Sequence, residues 1–134
     1  MGVRYLLDSD ICIYIMNETS PNALRIFNSA SLGDVGMSVI THGELLTGAN
    51  KSNVREKVLS RIQILTEVVL PLPLPEKAAE CYGTIRADLE KKGKPIGGHD
   101  LWIAAHAIAL DVTLITNNTR EFHRVSGLKI DNWH

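Results

Sequence analysis

Short apolar runs that stop at a polar residue alternate along this chain with longer stretches whose apolar positions recur at helical spacing. Residues 3–7, VRYLL, form a compact run ended by Asp8, the mark of a short buried strand. SDICIYIMN follows as a short apolar helix begun by Ser9 or Asp10, and Ser20-Pro21 starts another, with proline at its first helical position. VGMSVI (35–40) is a second strand, and Thr41 opens the helix ITHGELLTGA. Within 51–68, Val54, Val58, Ile62 and Leu65 fall on one helical stripe. VVLPLPL is extended, because its prolines forbid helix. Pro75 opens a helix with Ala78, Tyr82, Ile85 and Leu89 on one face, ended by Gly93. A buried helix runs from Asp100 to Leu110, VTLIT (112–116) is a third clear strand, NNTREF turns into a short helix, and 128–130 closes with a short strand.

Strands that alternate with helices predict an α/β domain built on a central, mostly parallel sheet flanked by helices. No repeat, low-complexity tract or linker interrupts the pattern, so a single domain over 1–134 is expected. In such sheets ligands bind beyond the carboxyl ends of the strands. Asp8 directly follows the first strand, Glu44 lies a few residues past the second, and Glu121 a few past VTLIT. Asp100 starts the helix that feeds VTLIT and joins the other acids if its helix begins there.

Composition narrows this picture without redirecting it. Apolar residues at 45% and charged residues at 22% are an ordinary globular balance, and a net charge of −1 leaves no global positive field for a polyanion. Any nucleic-acid contact must then be a local basic patch. The two cysteines, Cys12 and Cys81, sit in apolar contexts without metal spacing and are expected as buried, reduced thiols. An acid arrives too early in MGVRYLLDSD for a signal peptide, and no apolar run is long enough to span a membrane, so a cytoplasmic protein is expected.

Each acid has a structural reading beside the chemical one. Asp8 can cap a helix, although Ser9 and Asp10 are equally good caps; an acid at the end of a buried strand is costly without a partner. Thr41-His42-Gly43-Glu44 fits a capping box. Asp100 can cap its helix, with 95-PIGGHDLW-102 supplying flexible glycines before it. Asn118-Thr119-Arg120-Glu121 fits a polar helix start, and the Asn117 amide could hold a metal or make a turn. His42, His99, His106 and His123 form no zinc spacing and are expected at the surface or in support of the acids. Jointly, four carboxylates at strand ends and helix starts repel one another unless a cation joins them, and hard oxygen donors select Mg²⁺ or Mn²⁺ over zinc.

The segments 6-LLDSDICIYI-15, 41-THGELLTGA-49, 96-IGGHDLWIAAHA-107 and 114-LITNNTREF-122, together with 127-GLKIDNW-133, resemble the PIN-domain family over nearly the whole chain. Within it they are most similar to the VapC toxins of type II toxin–antitoxin systems. The resemblance implies a Mg²⁺-dependent endoribonuclease with Asp8, Glu44 and Asp100 as the acidic metal ligands and Glu121 as the fourth, assisted by Ser9 and Asn117. Three departures stand out. Asn117 occupies a position where many members carry aspartate, Asp8-Ser9-Asp10 replaces Asp-Thr-Asn, and Gly98-His99 replaces a Pro-Tyr pair.

The implied reaction is hydrolysis of a phosphodiester of structured RNA by a metal-activated water, leaving a 5′-phosphate and a 3′-hydroxyl. The family points to tRNA, with the anticodon region of initiator tRNA as one target, to a homodimer, and to silencing by a small VapB-like antitoxin protein. Lys91, Lys92, Lys94, Arg120 and Arg124 are the candidate phosphate contacts. Lys51, Arg55, Lys57 and Arg61 read as a solvated helix face. Two alternatives stay open. LDSD after a strand also resembles haloacid-dehalogenase phosphatases, with Asp8 as nucleophile and Asp10 as acid/base, and a non-catalytic module could bind RNA or protein without cutting.

Overall fold

A computed structural model describes residues 2–134. Among these residues five strands form one sheet: β1 (Tyr5–Leu7), β2 (Val35–Ser38), β3 (Leu70–Leu72), β4 (Thr113–Ile115) and β5 (Ile130–Asp131). Their order is β3-β2-β1-β4-β5, and every pairing is parallel. The helices between them are α1 (Ser9–Asn17), α2 (Pro21–Ser29), α3 (Val39–Lys51), α4 (Arg55–Val68), α5 (Lys77–Lys91), α6 (Gly98–Leu110) and α7 (Thr119–Phe122). The α/β class and the parallel sheet read from the sequence are therefore present.

Strand periodicity assigns the two faces. Successive side chains point to opposite sides, so Leu6 and Leu114 pack with α5 and α6, while Leu7 and Ile115 pack with α1, α3 and α4. All four are fully buried, as expected for central strands covered on both faces. β3 is an edge strand, which is why Pro71 is tolerated opposite Met37. Gly36 on β2 lets that edge close: a Cβ there would lie 3.1 Å from Leu72 Cδ1 and 3.2 Å from the Leu70 carbonyl.

Several boundaries differ from the sequence reading. β2 ends at Ser38, and Ser38 rather than Thr41 caps α3, its Oγ accepting from the Ile40 N–H at 3.1 Å. Thr41 lies inside α3, fully buried, with its hydroxyl unpartnered. Helix α6 begins at Gly98, capped by Gly97, so Asp100 is its third residue and not its start. Val68 still belongs to α4, and only Leu70–Leu72 of the proline-rich stretch pairs as strand. Val54 precedes α4 and is exposed instead of sharing its buried stripe. Gly93 does end α5 in a left-handed conformation, with the Lys94 N–H returning to the Leu89 carbonyl at 2.9 Å.

The chain builds β1, β2 and β3 outward to one side, then crosses to place β4 on the other side of β1. That reversal between β1 and β4 is the switch point at which open parallel sheets form their crevice. β1 delivers Asp8 there and β4 delivers Thr116.

Candidate active site

Asp8 is held from two sides. Its Oδ1 accepts from the Ser9 N–H at 2.8 Å, which makes it the cap of α1, a role the sequence left open among Asp8, Ser9 and Asp10. Its Oδ2 accepts from the buried Thr116 hydroxyl at 2.8 Å, a bond across the switch point. The Asp8 N–H donates to the Ile115 carbonyl at 2.8 Å, extending the β1–β4 ladder to the acid itself. Burial pushes the Asp8 carboxyl up to about 7, and the charges of Asp10 and Asp100 add to the rise against the pull of Thr116 and Ser9.

Glu44 projects from the second turn of α3 and makes no capping box. Its Oε1 accepts from the Ser9 hydroxyl at 3.0 Å, and its Oε2 lies 3.5 Å from His99 Nδ1. Glu44 thus bridges α1 and the start of α6. Asp100 is the electrostatic centre of the group: burial, then the charges of Glu121 and Glu44 and hydrogen-bond contact with Glu121, raise its carboxyl to about 6, while His99 lowers it. Glu121, in α7, accepts from the Asn118 amide at 3.4 Å. The structure therefore brings Glu44, Asp100 and Glu121 into one interacting group, with Asp8 coupled to Asp100 at its buried end.

Asp10 and Asn117 face a second network. Asp10 Oδ1 accepts from the Ile11 N–H at 2.7 Å and Oδ2 from the Asn117 N–H at 3.0 Å. The Asn117 side chain donates to the Tyr14 hydroxyl at 3.2 Å and accepts from Asn132 at 3.0 Å. Asn117 is thus committed to loop contacts, and Asp10 is tied to backbone amides in place of the free position an acid/base would need.

Of the candidate phosphate contacts, Lys91, Lys92, Lys94 and Arg120 are exposed. Lys92 pairs with Asp88 at 3.0 Å, and Arg124 donates to the Pro95 carbonyl at 3.0 Å, anchoring the loop that leads to Asp100. A Cβ on Gly97 would lie 3.8 Å from Asp100 Oδ2, and Gly98 faces open space. The approach to Asp100 is therefore lined by bare backbone. An apolar cavity of about 270 Å³ opens beside Ser9 and Glu44, lined by Ile13, Met16, Leu45 and Val58 among others.

Sequence reasoning missed Thr116, Asn118 and the pairing of His99 with Glu44. Only the register of β1 against β4 brings Thr116 to Asp8, and no local motif encodes it. His106, expected at the surface or beside the acids, is fully buried in α6, and Cys81 is only half-buried.

The donor set fits a hard divalent cation in chemistry: carboxylate oxygens on several elements, two of them raised by burial and mutual charge. Among the described residues, no three His, Cys, Asp or Glu side chains stand in an arrangement that would hold a metal as they are. Nor, among them, is any helix long and apolar enough to cross a membrane.

A parallel α/β domain with acids from several elements at its switch point is the architecture of the PIN domain, and the family model for that domain matches residues 5–128. The chain belongs to this family, and within it to the VapC ribonuclease toxins of VapBC toxin–antitoxin systems. It is 40% identical over 130 residues to Ribonuclease VapC1 of Haemophilus influenzae strain R2866, covering 96% of this chain and 97% of that one. It is 36% identical over 131 residues to the tRNA(fMet)-specific endonuclease VapC of Shigella flexneri, covering 98% of each. Among solved structures it superposes on Rickettsia felis VapBC2, bound to a DNA fragment from its promoter, with a TM-score of 0.92 and 34% identity, covering 98% of this chain and 100% of that one. The haloacid-dehalogenase alternative gives way to this membership and to the engagement of Asp10.

Proposed function

We propose that this chain is a cytoplasmic, Mg²⁺-dependent endoribonuclease that cuts structured RNA, with tRNA as its substrate class and the anticodon region of initiator tRNA as the first target to test. The observation that carries the reading is Asp100: a half-buried carboxyl raised to about 6 by burial and by Glu121 and Glu44, whose charge also reaches Asp8 at the switch point. Asp8, Glu44, Asp100 and Glu121 are the proposed ligands of Mg²⁺, with Mn²⁺ able to substitute. The chemistry such an ion supplies is a water nucleophile at neutral pH and charge relief on the phosphoryl oxygens.

The chain's own residues set the geometry. Ser9 orients Glu44 through its hydroxyl, and Thr116 with the Ser9 N–H fixes the Asp8 carboxylate. The bare backbone at Gly97 and Gly98 lets a phosphodiester reach Asp100. Lys91, Lys92, Lys94, Arg120 and Arg124 offset the repulsion between the acids and the RNA backbone. The apolar cavity beside Ser9 and Glu44 is the proposed seat of an apolar segment of a VapB-like antitoxin, and the toxin is proposed to act as a homodimer.

The test is cleavage of total and then individual tRNAs by purified protein with Mg²⁺, beside EDTA and Asp8→Asn controls. Discrete fragments with 5′-phosphate ends, lost in both controls, are expected. Cleavage that persists in Asp8→Asn would sink the site assignment. Absence of both cleavage and an Asp8-dependent Mn²⁺ site would leave the non-catalytic binding module.

A further inference from the structure

His106 lies in the middle of α6 with no exposed surface. Its Nδ1 is 2.8 Å from the Ser38 hydroxyl, also buried. Its Nε2 makes no well-formed hydrogen bond; the acceptor available to the ring besides Ser38 is the Pro73 carbonyl just past β3, whose weak bond favours the charged form. Burial holds the imidazole below its ordinary pKa, so the ring is neutral at pH 7. A poorly partnered polar atom in a core costs up to about 1–3 kcal/mol. Leucine would fill an interior helix position without that cost, so packing alone does not account for histidine here.

The partner of the ring suggests what does. Ser38 is the last residue of β2 and the cap of α3, and its Oγ already accepts from the Ile40 N–H. The Nδ1–Ser38 bond therefore fixes the first turn of α3 against α6. Glu44 is carried by α3 six residues beyond Ser38, and Asp100 by α6 six residues before His106, each about 9 Å along its helix. These are two acids of the interacting group; the His106–Ser38 bond joins the body of α6 to the start of α3, as the 3.5 Å contact of Glu44 with His99 joins the body of α3 to the start of α6.

We infer that His106 is a positioning residue, whose Nδ1 bond to Ser38 sets the separation of Glu44 and Asp100. It touches neither substrate nor the acids. The inference deepens the nuclease reading and rests on it for its functional arm. The geometric arm stands without it.

Three variants separate positioning from packing. His106→Asn keeps a polar atom at the Nδ1 position and preserves the Ser38 link. His106→Gln places its amide at the Nε2 end and loses that link. His106→Leu removes both polar atoms. Thermal melts first establish that each variant folds. Mn²⁺ affinity and steady-state RNA cleavage are then measured. His106→Gln and His106→Leu are expected to lose roughly tenfold to hundredfold in Mn²⁺ affinity and in kcat, with KM for RNA unchanged, the size expected for supporting contacts and misplacements near 1 Å. His106→Asn should stay within about threefold of the wild type on the same scale.

Equal loss in Asn and Gln variants, or wild-type metal affinity and kcat in Gln and Leu variants, overturns the inference. Crystal structures of wild type and His106→Gln supply the arm that needs no activity. The start of α3 should move against α6 in the Gln variant, and an unchanged Glu44–Asp100 separation overturns the inference even if the protein cuts no RNA. Wild-type protein that neither binds Mn²⁺ nor cuts RNA, combined with the expected shift in the crystal, overturns the nuclease reading and leaves the positioning role standing.

Discussion

Asp8→Asn should make the metal-free protein clearly more stable at pH 8 and nearly unchanged in stability at pH 5. The Asp8 carboxyl has an ordinary value of 3.8 and is raised to about 7 in the fold. Between those values the folded state holds a proton that the unfolded chain has released. Stability therefore falls as pH rises across this window, and above about pH 7 the full penalty is present. A carboxyl raised by about three factors of ten, at ~1.4 kcal/mol each, carries a penalty on the order of 4 kcal/mol. Asparagine removes the charge but accepts through one oxygen only, so one of the two bonds, from Ser9 N–H or Thr116, is weakened at a cost of about 1 kcal/mol. The net gain at pH 8 is then roughly 2–3 kcal/mol, or about 8 °C in Tm for a domain of this size. At pH 5 the remaining penalty, about 1.5 kcal/mol, is mostly offset by the weakened bond, leaving a gain of about 0.5 kcal/mol. The assay is thermal or urea unfolding in EDTA at pH 5, 6, 7 and 8. A variant destabilised equally at all four values would refute the argument, because the carboxylate would then carry no buried-charge penalty.

Thr116→Val removes the donor to Asp8 Oδ2 and the acceptor of the Asn118 N–H. It should cost about 1–2 kcal/mol in urea unfolding and shift the pH midpoint of Mn²⁺ binding upward, because the carboxylate loses a bond that favours its charged form. Thr41→Val exchanges a buried, unpartnered hydroxyl for a methyl of equal size and should raise stability by roughly 1 kcal/mol, read as a higher urea midpoint at unchanged slope. Gly36→Ala forces a Cβ against Leu72 and the Leu70 carbonyl, and should cost about 1–3 kcal/mol by loosening the β2–β3 edge, measured by hydrogen exchange at residues 70–72.

The strands and the acids were legible in the sequence because both depend on local pattern. VRYLL ends where β1 ends and VTLIT one residue past β4; Asp8, Glu44 and Glu121 each follow a strand end at short range, while Asp100 lies in the first turn of a helix. The cap assignments were not legible. Serine, threonine and aspartate crowd each helix start, and the chain chooses among them by tertiary contact. Ser38 outcompetes Thr41 because β2 stops two residues earlier than its apolar run, which continues through Val39 and Ile40 into α3. Asp8 becomes a cap because the β1–β4 ladder fixes its backbone, and the same ladder supplies Thr116, 108 residues away in sequence. No periodicity encodes a contact of that range. His106 was misplaced for a related reason: in IAAHAIAL nothing separates a buried imidazole from an exposed one until Ser38 is seen opposite it.

What the capping result changes is the standing of the acids themselves. If Asp8, Glu44, Asp100 and Glu121 were helix caps in the main, their charge would be offset where they stand and they would need nothing else. Only Asp8 is a cap, and capping does not neutralise it, since burial and neighbouring charge still hold it near 7. Asp100 sits in the first turn of α6, where the helix dipole favours an anion by about 0.3–1 kcal/mol. Its carboxyl is nevertheless raised, so burial with Glu121 and Glu44 outweighs the dipole. Glu44 stands beyond the first turn, where the dipole has faded, and takes only a hydroxyl from Ser9 and a contact with His99. The local devices a parallel sheet offers at its carboxyl edge are therefore all in use, and negative charge remains uncompensated at the switch point. A group that brings positive charge there relieves that repulsion, which is what the proposed divalent cation would do.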